Sequence, residues 1–404
     1  MPDDHQPLST TRESRSLRPA HPAVGAAPLV TPLWQSVVYR EQDADALDAS
    51  YDAGSEGFTY SREGHPNARA VSHVIDAMEG LDPAAGGGTM AGSGMGAIAA
   101  ALLGVLKAGD HVVASDQLYG RSLRLLTRDL PRFGVTASLV DTTDAAGVTA
   151  AVRPETRMIM VEVVSNPTIR IADMEGIARI AKAEGVLLFV DNTFTTPLSY
   201  RPFDHGADIV MHSVTKLMAG HSDVLLGWAA ARDPEVNLAI REAGETWGTT
   251  GAPFDCWLAE RGLASFHLRH RAASENAALL ADRLAGLPGV EAVFYPGRAD
   301  HPDHNRASAV LDGRWGNMLS FRLAGGRAEV NAFLRAAAEV PFAPTLGDVA
   351  TTMSHPASSS HRAVSAEARA AVGITEGFIR LSVGIDDAER VGAALERAIQ
   401  SVHG

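Results

Sequence analysis

Six short apolar runs set the limits on what this chain can fold into: "HVVAS" (111–115), "VTASLV" (135–140), "MIMVEVV" (158–164), "VLLFVDN" (186–192), "DIVMHSV" (208–214) and "LGWAAA" (226–231). They lack the alternation of a half-exposed strand, which is the pattern of strands buried on both faces of a mainly parallel sheet. Parallel neighbours need long crossovers, and the segments between the runs carry helical patterns. In "ADMEGIARIAKAEG" (172–185), Met174, Ile177 and Ile180 recur at helical spacing and Gly185 stands where a C-cap belongs. This rhythm predicts an α/β domain over residues 66–260.

After Arg261 the pattern changes to a long Ala- and Leu-rich helix ("RHRAASENAALLADRLAGL"), then "GNMLSFRLAG", another helix and "GFIRLSVGID". That order predicts a smaller α+β domain over residues 261–404. Residues 1–65 hold too few apolar repeats to fold alone and read as an arm that lies on another surface. The Ala-rich helix reads as core rather than as a partner-binding stripe.

Composition excludes several classes. A formal charge of -13 argues against nucleic acid or an anionic membrane as the main partner, because both reward clustered Lys and Arg. The single cysteine, Cys256, cannot close an internal disulfide, which suits a reducing, cytoplasmic setting, and it reads as a small buried hydrophobe. The opening residues are polar and lack the apolar stretch of a secretory signal, and no run is long enough for a membrane span. A flexible N-terminus is expected. The histidines, including "HPDH" (301–304), His212 and His221, read as surface or loop residues rather than metal ligands.

Open α/β sheets gather ligands at the carboxyl ends of their strands. Asp191 follows "VLLFV", and Ser213, Thr215 and Lys216 follow "DIVMH". Asp191 alone could cap a turn, and Lys216 alone could snorkel over apolar neighbours. Together they suit a cofactor. An amine kept partly dry can form a Schiff base, and a buried carboxylate can hold the protonated ring nitrogen of pyridoxal phosphate. Two hydroxyls flank that lysine.

"AGSGMGAIAAALLGVL" (91–106) places Gly92, Gly94 and Gly96 at the start of a helical pattern, where backbone N–H groups can face a phosphate. No strand is evident before it and no Gly-Lys-Ser/Thr follows, so it is neither a dinucleotide fingerprint nor a P-loop. Tyr119 in "QLYGRS" follows another strand; it is either a rim residue or an aromatic for stacking on a cofactor ring.

In this order the residues resemble the cysteine/methionine-metabolism family of pyridoxal-phosphate enzymes. The motifs "TPLWQSVVYR", "YSREGHPN", "GSGMGAI", "LYG", "SNP", "VDNTFTTP", "SVTK", "APFDCWL", "HPASSSH" and "IRLSVGID" run through almost the whole chain. The resemblance implies an aspartate-aminotransferase-like (fold type I) architecture: a mainly parallel seven-stranded sheet domain plus a smaller α+β C-terminal domain.

It also implies roles. Lys216 is the covalent anchor and proton shuttle, Asp191 the partner of the ring nitrogen, and Tyr119 the stacking residue that assists the leaving group. Gly94 and Met95 give backbone donors to the phosphate, and Ser213 and Thr215 give hydroxyls. Tyr60 and Arg62 reach the phosphate of a neighbouring subunit, so a homodimer is the smallest active unit and a homotetramer is expected. Arg380 grips the substrate carboxylate, with Asn166 and Thr345 beside it. Glu162 is a structural hydrogen-bonding residue.

Two departures bear on the reaction. Arg121 stands after Tyr119-Gly120 where many members have Gly and methionine γ-lyases have Cys; it either meets an acidic distal group on the substrate or is solvated at the mouth. Ala350 in "TLGDVAT" (345–351) replaces a frequent glutamate and puts recognition of a distal ammonium in doubt. The expected activity is elimination or replacement at the γ-carbon of a homoserine-ester or cystathionine-type amino acid. β-Elimination, γ-elimination from methionine and a catalytically silent cofactor-binding scaffold stand as alternatives.

Overall fold

The protein is described from a computed structural model, which covers residues 26–51, 57–82, 87–362 and 364–403. The opening residues expected to be flexible lie largely outside that description. Residues 26–32 belong to a separate small unit, Met1–Pro32, and carry no helix or strand; Leu33–Gly404 form the second unit.

All six apolar runs are strands of one sheet. They are β2 (His111–Ser115), β3 (Thr136–Val140), β4 (Thr156–Glu162), β5 (Leu187–Asp191), β6 (Ile209–His212) and β7 (Gly227–Ala231). A seventh strand, β1 (Thr89–Ala91), pairs antiparallel with β7, giving the order β1-β7-β6-β5-β4-β2-β3. β3, β2, β4, β5 and β6 are mutually parallel, and β7 lies antiparallel to β6. β1 corrects the sequence reading, which found no strand before the glycine turn. A three-residue strand is too short to show a period.

The missing alternation has a direct cause. Met158, Met160, Phe189 and Met211 bury one face of the sheet against the helix Gly94–Val105, while Ile159, Val161, Leu188, Val190 and Val210 bury the other. Each side chain taken fully out of water contributes about 1.5–3 kcal/mol. The expected helix spans Met174–Glu184 and ends at Gly185 with φ 64°, the left-handed C-cap conformation.

The C-terminal residues build a second, antiparallel sheet of four strands: β8 (Val290–Phe294), β9 (Met318–Leu323), β10 (Thr352–Ser354) and β11 (Phe378–Ser382), in the order β10-β11-β9-β8. Helix Phe266–Ala285 buries Ala277, Leu280, Ala281 and Leu284 in the same core as Leu319, Phe321, Ile379 and Leu381, as its composition implies. Cys256 is fully buried, and burial pushes its thiol up to about 12. Among the described residues no helix is long and apolar enough to cross a membrane.

Candidate active site

The carboxyl ends of β4, β5 and β6 and the middle of β11 carry most of the chemistry. Beyond β6 the chain turns tightly: the Lys216 N–H donates to Ser213 O at 3.0 Å, and the Gly220 N–H to Lys216 O at 2.8 Å. Gly220 has φ 77°, and a Cβ there would stand 2.0 Å from Arg269 Nη1. Arg269 is the reason: its guanidinium donates to Leu217 O and Met218 O, each at 2.8 Å, and to Gly262 O at 2.7 Å. A buried arginine thus satisfies the carbonyls of the turn that presents Lys216. Gly347, with φ 83°, brings the 345–347 segment against the Lys216 backbone, at a spacing no side chain would permit.

The Lys216 Nζ donates to Thr345 Oγ1 at 3.3 Å. Burial, and then the nearby Arg380, lower its pKa from the usual lysine value. Thr345 joins that amine to a guanidinium, because Arg380 Nη2 donates to Thr345 O at 2.8 Å while Nη1 donates to Asn166 Oδ1 at 2.6 Å. Arg380 is 4 % exposed and its Nε has no partner. Burial pulls it down to about 10, against the opposing pull of Tyr119 and Glu162. A buried fork with an unused N–H suits an anionic ligand such as a carboxylate.

Asp191 ends β5 directly beside Glu162 at the end of β4, the two residues being paired in the sheet. Asp191 accepts the Thr193 N–H at 3.0 Å, the turn-capping bond expected of an aspartate there. Burial raises its pKa, and the Thr193 bonds and His212 oppose that rise. Glu162 accepts the Tyr119 N–H at 2.7 Å, which fixes the backbone of the aromatic after β2. Tyr119 itself is 38 % exposed.

The glycine turn is a helix start. Ser93 caps the helix Gly94–Val105 by accepting the Gly96 N–H at 3.0 Å, so the Gly94 and Met95 N–H groups stand in the first turn, where no intrahelical acceptor exists. A Cβ on Gly94 would lie 2.7 Å from Ser213 Cβ, so the helix start and the turn after β6 close on one another. Thr215 Oγ1 donates to Leu226 O at 3.1 Å and accepts the Leu226 N–H at 2.9 Å. Its proton is therefore engaged by the backbone just before β7 rather than free.

The remaining expected residues lie apart. Arg62 donates to Glu245 O at 2.8 Å and lies over the Tyr60 ring at 5.6 Å, with both side chains substantially exposed. Arg121 is exposed in the short helix Gly120–Arg124. His212 corrects the sequence reading of surface or loop histidines, whereas His301 lies in a loop as expected. His212 ends β6, is 1 % exposed and contacts Glu79 Oε1 at 2.5 Å through Nε2; His301 is buried as well. Glu79 Oε1 also accepts from Asn192 Nδ2 at 2.9 Å, so this pair braces the loop after Asp191 from the opposite side of the sheet. Sequence reasoning missed Glu79 and Arg269 and misplaced His212, since a contact between distant segments leaves no local pattern. Among the described residues no group of three His, Cys, Asp or Glu could hold a metal.

These groups fit pyridoxal phosphate. The buried Asp191 receives hydrogen bonds but no cation among the described residues, Lys216 is a partly dry amine, and a helix N-terminus offers unpaired N–H groups. A cationic ring nitrogen, an aldehyde and a phosphate answer those needs in turn. Residues 19–400 match the Cys/Met metabolism PLP-dependent enzyme family, and the chain belongs to it. Cystathionine beta-lyase MetC of Bacillus subtilis (strain 168) is 39% identical over 345 residues, 85% of this chain and 87% of that protein. L-methionine gamma-lyase of Porphyromonas gingivalis is 35% identical, covering 93% of each chain. A crystal structure of cystathionine gamma synthase from Xanthomonas oryzae pv. oryzae in complex with cystathionine superposes with TM-score 0.86 and 36% identity, covering 92% of this chain and 93% of that one.

Proposed function

We propose that the protein catalyses elimination or replacement at the γ-carbon of a homoserine-ester or cystathionine-type amino acid. The observation that carries this reading is the Lys216–Thr345–Arg380 chain, which ties a free amine to a carboxylate fork through one residue. A substrate gripped by its α-carboxylate at Arg380 and Asn166 presents Cα, and then Cβ, to the same amine. Pyridoxal phosphate, when bound, supplies the electron sink that makes those protons acidic.

In this reading Lys216 would hold the cofactor's aldehyde, and its amine would move protons at the substrate's Cα and Cβ; its lowered pKa keeps more of it unprotonated at neutral pH. Asp191 holds the ring nitrogen protonated. Gly94, Met95, Ser213 and Thr215 hold the phosphate, Thr215 by giving up its bond to Leu226 O. Tyr119 covers the ring and helps the γ-substituent leave. Arg121 meets an acidic distal group of the substrate.

Tyr60 and Arg62 serve a second copy of the chain, in a homodimer or homotetramer. Support comes from the arm that carries them: helix Ala44–Tyr51 buries no residue, and Trp34, Val37 and Val38 are exposed. In this reading residues 1–65 form that arm, 66–260 the cofactor domain and 261–404 the C-terminal domain. The low cysteine count and acidic composition support a cytoplasmic setting.

β-Elimination is the second reading, favoured by the 39% identity to a cystathionine beta-lyase. Cystathionine and O-acetylhomoserine, offered with and without a thiol, separate the two. Under the γ reading they yield 2-oxobutanoate, or a γ-replacement product when thiol is present. Pyruvate from cystathionine without 2-oxobutanoate overturns it. Full turnover by Lys216→Ala overturns the mechanism under either reading.

A further inference from the structure

Glu162 sits where several parts of the site meet, yet none of the steps above uses it. It is 8 % exposed at the end of β4, receives the Tyr119 N–H at 2.7 Å, and lies near enough to the Asn166 backbone for that N–H to favour its ionised form. Asn166 in turn receives Arg380 Nη1. The ring-covering residue and the substrate-carboxylate fork therefore share a single anchor. We propose that Glu162 is the positioning residue of this site, holding Tyr119 by its N–H and standing beside the Asn166–Arg380 fork so that the two share one frame.

The charge state follows from the neighbours. Asp191 is paired with Glu162 in the sheet, both are buried, and Arg380 is the nearby cation, already engaged with Asn166 and Thr345. Two adjacent buried carboxylates cannot both be ionised cheaply. Burial first, and then Asp191, hold Glu162 well above the usual carboxylate range, with the Tyr119 and Asn166 N–H groups and Arg380 opposing. A proton on Glu162 relieves that repulsion and leaves Asp191 the carboxylate. A protonated carboxyl keeps a carbonyl oxygen for N–H donors, which is the geometry of a glutamine amide. This holds whichever substrate carbon loses its group.

Glu162→Gln and Glu162→Ala test it without turnover. Glycine, a non-reacting amino acid, perturbs the visible band of the bound cofactor, and its Kd reports the carboxylate fork. Glu162→Gln keeps the wild-type glycine Kd, whereas Glu162→Ala weakens it by about tenfold or more, the effect of one unpartnered buried N–H. A carboxyl with a raised native pKa costs stability as pH rises from the ordinary carboxylate range toward that native value. The cofactor-free Glu162→Gln protein should therefore gain in Tm over wild type between pH 5 and 8. Glycine binding in Glu162→Gln as weak as in Glu162→Ala, or a falling Tm difference, overturns the proposal. Wild-type glycine affinity in Glu162→Ala does so as well. If Glu162→Ala fails to fold, the isosteric Glu162→Gln decides alone.

Discussion

Gly94→Ala tests the phosphate cradle most sharply, because the perturbation is one methyl group with a known destination. The added Cβ would lie 2.7 Å from Ser213 Cβ, 2.8 Å from its Oγ and 3.1 Å from its Cα. Rotating the Ser213 side chain relieves only the Oγ contact, since Cβ and Cα belong to the frame of the turn. Against ordinary contact at 3.4 Å, the helix start and the turn must part by about 0.7 Å (3.4 less 2.7). Overpacking of this kind costs about 1–3 kcal/mol. The cost falls where helix N–H groups and Ser213 converge, so most of it should appear as weaker cofactor binding, about tenfold for each 1.4 kcal/mol. The assay is titration of cofactor-free protein with pyridoxal phosphate, followed by the cofactor's visible absorption, with thermal melting of the same protein as control. An unchanged Kd, whether or not Tm falls, would refute the cradle.

Arg380→Lys should raise KM far more than it lowers kcat, costing about tenfold to a hundredfold in kcat/KM, because a point ammonium cannot span Asn166 and Thr345 while binding a carboxylate; steady-state kinetics decides, and an unchanged KM contradicts the assignment. Lys216→Met should stabilise the cofactor-free protein relative to wild type near neutral pH. Because the native pKa of Lys216 is lowered, wild type gains stability as pH rises toward the usual lysine value, so the Tm difference should shrink by pH 10; a constant gap over pH 6–10 counts against a desolvated amine. Arg62→Ala should loosen cofactor retention without lowering the Tm of the cofactor-free protein; equal retention in a dialysis series against wild type would sink the shared-site reading.

Much of the site was legible because its residues follow strand ends. Asp191, Ser213 and Lys216 could be found by reading just past the valine-rich runs, and Arg380 by its place in "IRLSVGID". Helix and sheet periodicity act over a few residues, so any chain segment displays them. The same reasoning misplaced His212, since one polar residue at the end of a buried run reads as a way out to solvent. Its partner Glu79 lies far away in sequence and completes a buried pair only after the C-terminal end of the helix Pro66–Glu79 meets the end of β6.

The amino-acid sequence by itself determined the α/β order, the buried faces of the sheet and the reactive groups at the strand ends. Tertiary structure decided what those groups can do. Lys216 is partly dry because the 345–347 segment closes over it, Arg380 is a fork because Asn166 and Thr345 brace it, and the Glu162 carboxyl is raised because it is buried with Asp191 one strand away. Proton affinity depends on burial and on charges a few ångströms distant, and those distances exist only once segments remote in the chain have been brought together.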